Sequence, residues 1–138
     1  MSAMTNYFES GILNQVFRGI SLTLPSTGVY IGLTSDSPSE GSPAANELTG
    51  NGYARVHVPT GNFNAPTADG NGHKVENNTA IDFPTATGGN WGYASGVIIA
   101  DASSGGNVLM KGDLTTPRNV LEGDTFRFSS SDLDVKFD

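Results

Sequence analysis

His57 and His73 are the only imidazoles in the chain, and a two-histidine metal site is the first chemistry they suggest. Asp69 and Glu76 lie close to His73 in sequence and would add oxygen ligands. The spacing matches no zinc or calcium motif, and the chain has no cysteine to supply a thiolate. His57 alternates with Val56 and Val58, so it points away from them on an expected strand. His73 falls in a Gly-rich stretch. Both histidines read as solvent-exposed or interface residues, and no metal site is expected.

Asp132 and Asp134 share one face of an expected last strand. Such a pair suits general acid–base work, calcium binding, or a solvated face that discourages edge pairing. The solvated face is the reading adopted. Ser104-Gly105-Gly106-Asn107 has the glycines of a phosphate loop, but a strand and not a helix follows it. The helix N-terminus that would cradle phosphate is absent, so a hairpin is expected. No Gly-x-Ser-x-Gly elbow occurs. No catalytic residue, no cofactor-binding residue and no cofactor are therefore expected. Trp91, the single tryptophan, leaves two readings open. It is a core lid or subunit contact, or it is a platform for a sugar or protein ligand.

These residues need elements to hold them. Met4, Tyr7, Phe8, Ile12, Leu13, Val16, Phe17 and Ile20 recur at spacings of three and four, which predicts a helix over about 5–18. Asn6 is placed to cap it with Glu9 as capping-box partner, and Gly19 to end it. The wide apolar stripe must be covered, either by the chain's own sheet or by a neighbouring subunit. Tyr7, Phe8, Phe17, Trp91 and Tyr93 are the candidate interface residues.

The rest reads as strands from about 28 to 137. Residues 28–34 form the first, with two glycines that permit close backbone approach. Residues 35–52 and 59–79 read as long loops. Strands are expected at 53–58, ending at Pro59, and at 80–83, stopped by Pro84. The run 93–100 is a buried strand, because Val97, Ile98 and Ile99 are contiguous. Residues 101–107 are a hairpin loop before a strand at 108–114. Strands at 125–128 and 133–137 make a closing pair. In the last, Leu133, Val135 and Phe137 face one way, and Asp132, Asp134, Lys136 and Asp138 the other.

The predicted fold class is mainly β, an antiparallel β-sandwich of jelly-roll type with one N-terminal helix, forming one domain over 1–138. A small barrel is the alternative. Eighteen Gly and seven Pro suit many turns between short strands. The net charge is −7, and the seven basic residues are scattered from Arg18 to Lys136 without a patch, which argues against nucleic acid as a partner. No stretch approaches membrane-spanning length, and no secretory signal is expected at the N-terminus.

Three blocks carry a resemblance over nearly the whole chain. They are NYFESGILNQVFRG, then VYIGLTSDSPS with ELTGNGYARV, and finally FPTATGGNWG with DASSGGNVLMKGDLTTPRNVLEGDTFRF. Together they resemble a family of small tailed-bacteriophage virion proteins, labelled tail-fibre proteins and similar to capsid decoration proteins. The resemblance implies a non-enzymatic structural protein of the virion, made in the host cytoplasm. Its partners would be copies of itself, as a homo-oligomer such as a trimer, and phage capsid or tail proteins.

Within that class, the short chain favours a capsid decoration (cement) role over a whole fibre. The alternative is a tail-fibre or receptor- or carbohydrate-binding module, motivated by Trp91, Tyr93 and the Asn/Asp-rich loops. An enzyme such as a glycan hydrolase would have only Asp132, Asp134 and scattered carboxylates to work with.

Overall fold

The structure is a computed structural model that describes residues 2–137. It begins with a short strand, β1 (Ser2–Met4), and a helix, α1 (Asn6–Arg18). Met4 therefore belongs to a strand and not to the helical stripe. Thr5, and not Asn6, is the N-cap: its Oγ1 accepts from the Phe8 N–H at 3.4 Å. That hydroxyl also donates to the Val108 carbonyl, which fastens the start of α1 to the sheet. Glu9 is one position too far along for a capping box on Thr5. Gly19 ends α1 in the left-handed region, at φ 66°, where a Cβ would be strained, and Ile20 N–H bonds back to Asn14 O at 3.1 Å.

Nine further strands follow among the described residues: β2 (Gly28–Thr34), β3 (Val56–Pro59), β4 (Thr67–Asp69), β5 (Gly72–Glu76), β6 (Ile81–Thr85), β7 (Gly92–Ala100), β8 (Val108–Val120), β9 (Thr125–Phe128) and β10 (Asp134–Phe137). A five-stranded antiparallel sheet runs β1-β8-β7-β2-β3. Two smaller antiparallel sheets run β10-β5-β4 and β6-β9. All three share one apolar core. Ile31, Leu33, Val97 and Ile99 come from the large sheet, Val135 from the second, and Phe83, Phe126 and Phe128 from the third. Each such buried side chain stabilises the fold by about 1.5–3 kcal/mol. The arrangement is sandwich-like, with one N-terminal helix, and the sheets do not close into a barrel.

From Gly96 to Ala100, β7 is buried on both faces. Ile98 and Ala100 pack with Val108 and Ala44 on the side away from the main core. That explains the contiguous apolar run, since neither face of this half of the strand meets water.

Several expected boundaries move. The stretch 59–79 is not all loop: it holds a short 3-10 turn (Thr60–Asn62), β4 and β5. The strand expected from Tyr53 begins only at Val56. Pro84 does not stop β6, because it sits in a register irregularity between Asp82 and Thr85, where no ladder N–H is required. β8 continues past Leu114 to Val120. It accommodates Pro117 in a bulge: between the pairs Ala94–Arg118 and Gly96–Asp113, four β8 residues oppose one of β7. β9 and β10 do not pair with each other. β9 lies on β6, and β10 on β5. Asp138 lies outside the described residues.

Candidate functional site

The residues singled out for chemistry are scattered, and several are engaged in local contacts. His57 is exposed on β3, with its ring 4.9 Å from that of Tyr30. His73 lies on strand β5 and not in a loop. Asp69 pairs with Lys136 at 3.5 Å and Glu76 with Lys74 at 3.6 Å. Among the described residues, no group of three or more His, Asp and Glu is placed to hold a metal. Asp132 is not on the last strand. Its Oδ2 accepts from the Ser129 N–H at 3.0 Å in the turn before β10, so it shares no strand face with Asp134. The segment 101–107 is a hairpin loop closed by Asp101, whose Oδ1 accepts from the Asn107 N–H at 2.8 Å.

A polar network missed by the sequence reading lies beside β2. Arg55 binds Glu47 through two hydrogen bonds, and its Nη1 donates to the carbonyls of Ala102 and Gly105 at 2.9 and 3.0 Å. The Tyr53 hydroxyl donates to Glu47 Oε2 at 2.8 Å and accepts from the Leu33 N–H at 2.9 Å. Burial, above all, pushes the Tyr53 phenol well above the ordinary tyrosine range. The Glu47 hydrogen bond raises the Arg55 pKa further. Gly32 makes room for this: a Cβ there would lie 2.8 Å from Glu47 Oε2 and 3.0 Å from the Tyr53 hydroxyl. The network ties the 35–55 loop to the sheet and to the β7–β8 hairpin. Its one sequence signal is the alternation Tyr53-x-Arg55 just ahead of β3.

The candidate interface aromatics divide by burial. Phe8 and Trp91 lie in the core, and the Trp91 indole N–H donates to the Asn51 carbonyl at 2.9 Å. Tyr7, Phe17 and Tyr93 are 40%, 78% and 60% exposed. α1 thus has two apolar sides. Phe8 and Ile12 turn inward, while Leu13, Val16 and Phe17, at i, i+3 and i+4, turn to solvent. Ile20, just past the cap, is exposed as well. Periodicity found the stripe but could not tell which part of it the sheet would cover.

A half-open apolar cavity of about 500 Å³ lies between the large sheet and the three-stranded sheet. Val29, Ile99 and Met110 line it from one side, and Val75, Val135 and Phe137 from the other. His73 and Lys74 are among the few polar residues that border it.

The antiparallel β scaffold carries an exposed apolar helix face and a half-open apolar cavity. The class of protein follows from the sequence as a whole. Residues 3–136 match the family described as Podophage GP4 fiber I protein gp80, and the chain belongs to that family of bacteriophage structural proteins. Among curated proteins, none matches the sequence significantly. No helix among the described residues is long and apolar enough to cross a membrane.

Proposed function

We propose that this chain is a non-enzymatic structural component of a phage tail fibre, incorporated into the virion after synthesis in the host cytoplasm. The observation that carries the reading is the family match, which spans residues 3–136 and names a fibre protein. In this reading, copies of the chain associate with one another and with other fibre or tail proteins.

Capsid decoration rested on chain size alone, and a short chain is equally suited to being one piece of a composite fibre. A sugar platform on Trp91 loses its ground, because that ring is buried and its N–H is used internally. Immunogold labelling of intact particles tests the proposal. Gold along the tail is the expected result. Gold over the head would favour decoration, and absence of the protein from purified particles would overturn both structural readings.

A further inference from the structure

We propose that residues 35–47 form a lid over the outer face of the large sheet, and that Arg55 latches this lid so that it opens together with the tip of the β7–β8 hairpin. The segment leaves the end of β2 and returns beside it. Thr34 bridges to Glu47, and the Ser35 N–H donates to the Asn46 carbonyl at 2.9 Å. A surface loop whose ends meet in this way is an Ω-loop. Leu48, the next residue, is anchored in the main core, so the lid swings about Thr34 and Leu48.

Under the lid lies apolar surface. Ile98, Ala100 and Val108 are buried in a cluster apart from the main core, and Ala44 of the lid packs against it. Pro38 lies across Gly96, where an added Cβ would come within 2.6 Å of its Cδ. The Glu40 carbonyl accepts from the Asn6 N–H at 3.2 Å, which ties the lid to the start of α1. Most of residues 35–47 are exposed. The lid therefore buries little apolar area of its own, as segments that open locally do.

Arg55 supplies what the apolar contacts lack. Its guanidinium holds Glu47 at the neck of the lid, and it holds the carbonyls of Ala102 and Gly105 in the hairpin tip. The Arg55 side chain is almost wholly buried. Were Glu47 to leave alone, a buried cation would stay behind with its counter-charge gone, which is costly. When the hairpin tip parts as well, water reaches the guanidinium and the carboxylate together. The opening that frees both sides is thus the cheaper one, and it uncovers Ile98, Ala100 and Val108.

Amide hydrogen exchange of the purified full chain, followed by NMR, tests this. Asn6 and Ser35 report on the lid, since their N–H groups bond to the Glu40 and Asn46 carbonyls. Asp101 and Asn107 report on the hairpin tip, where the Asp101 N–H bonds to Asn107 O and the Asn107 N–H to Asp101 Oδ1. Glu47→Ala breaks the latch, and Val135→Ala weakens the core outside it. Circular dichroism checks that both variants fold. Glu47→Gln, which keeps one acceptor oxygen, carries the same comparison should Glu47→Ala not fold. In wild type the four reporters should share one degree of protection, below that of the Val97 and Ile99 amides in β7. Glu47→Ala should speed all four by a common factor, on the order of a hundredfold, although the Glu47 carboxylate bonds to Tyr53 and Arg55 and not to the hairpin. Val135→Ala should speed Val97 and Ile99 and leave the four reporters unchanged, because the core stays folded when the lid opens. Asp101 and Asn107 amides that do not respond to Glu47→Ala would show that lid and hairpin open separately. Reporters that follow Val97 and Ile99 in Val135→Ala would show that the lid opens only on global unfolding. Either result overturns the proposal.

Discussion

The Arg55 guanidinium holds both carboxylate oxygens of Glu47, with Nε 2.8 Å from Oε2 and Nη2 2.7 Å from Oε1. The Arg55 side chain is only 4% exposed and that of Glu47 16%, so water screens the pair little. Removing one partner strands the other. Glu47→Ala leaves a buried cation and deprives the Tyr53 hydroxyl of its acceptor. The expected loss is about 3 kcal/mol in urea unfolding. A loss below about 1 kcal/mol, the level of an exposed pair, would show that solvent reaches the site.

Tyr53 gives the network a pH dependence. Its folded pKa is raised above the ordinary value of about 10, chiefly by burial, while the Leu33 N–H bond opposes the shift. The folded state therefore keeps a proton that the unfolded chain releases. The associated stability is complete below pH 10 and falls as pH rises beyond it. Tyr53→Phe should lose about 1–2 kcal/mol at neutral pH, through the hydrogen bonds. It should then decline less steeply than wild type in the alkaline range. Parallel declines, read from unfolding midpoints, would contradict this account.

Gly96 sits where the 34–38 segment crosses β7. A Cβ there would meet Thr34 Oγ1 at 2.3 Å, Pro38 Cδ at 2.6 Å and the Asp36 carbonyl at 2.9 Å. Thr34 has little freedom to yield, since it is fully buried and bonded to Asp36 O at 2.7 Å. Gly96→Ala should destabilise by about 2–3 kcal/mol through overpacking. Gly61, with nothing within 4 Å of its added Cβ, is the matched control, and Gly61→Ala should be nearly neutral in thermal melts.

Trp91 is 8% exposed, and as the only tryptophan it reports on the core without ambiguity. Its native fluorescence should be blue-shifted and resistant to iodide, and should turn red and quenchable on unfolding. Trp91→Ala should cost about 3–5 kcal/mol. Iodide quenching of the native protein as strong as that of the unfolded chain would reverse the assignment.

The helix, β2, β7 and the hairpin at 101–107 were legible because apolar periodicity or turn residues mark them strongly. β4 and β5 were not. Thr67, Ala68 and His73 are exposed, so the small sheet lacks the alternating burial that signals a strand. The second half of β8, Thr-Thr-Pro-Arg-Asn, is polar and exposed up to Val120, and its Pro117 is accommodated by a bulge that the sequence does not mark. Thr5 lost the cap to Asn6 on paper because only the fold shows its hydroxyl reaching Val108. The site was harder still. Glu47 and Arg55 are eight residues apart on an irregular stretch, and only the folded loop brings their charges together. A single stripe on α1 also hid two faces, since spacing records direction around a helix and not what stands opposite it.

The first and last described strands lie against each other, and Phe8 meets Phe137 edge to face at 6.1 Å. For a particle component under tension, this sets where force enters. A pull between residues 2 and 137 acts first on β1 and β10, edge strands of three and four residues. β1 holds to β8 through three residue pairs only, Ser2–Gly112 to Met4–Met110, whereas the β7–β8 ladder beyond it is much longer. Such short edges open locally at a fraction of the global unfolding free energy. The module would lengthen at its seam like a mechanical fuse, absorb work, and leave its aromatic interior intact to close again.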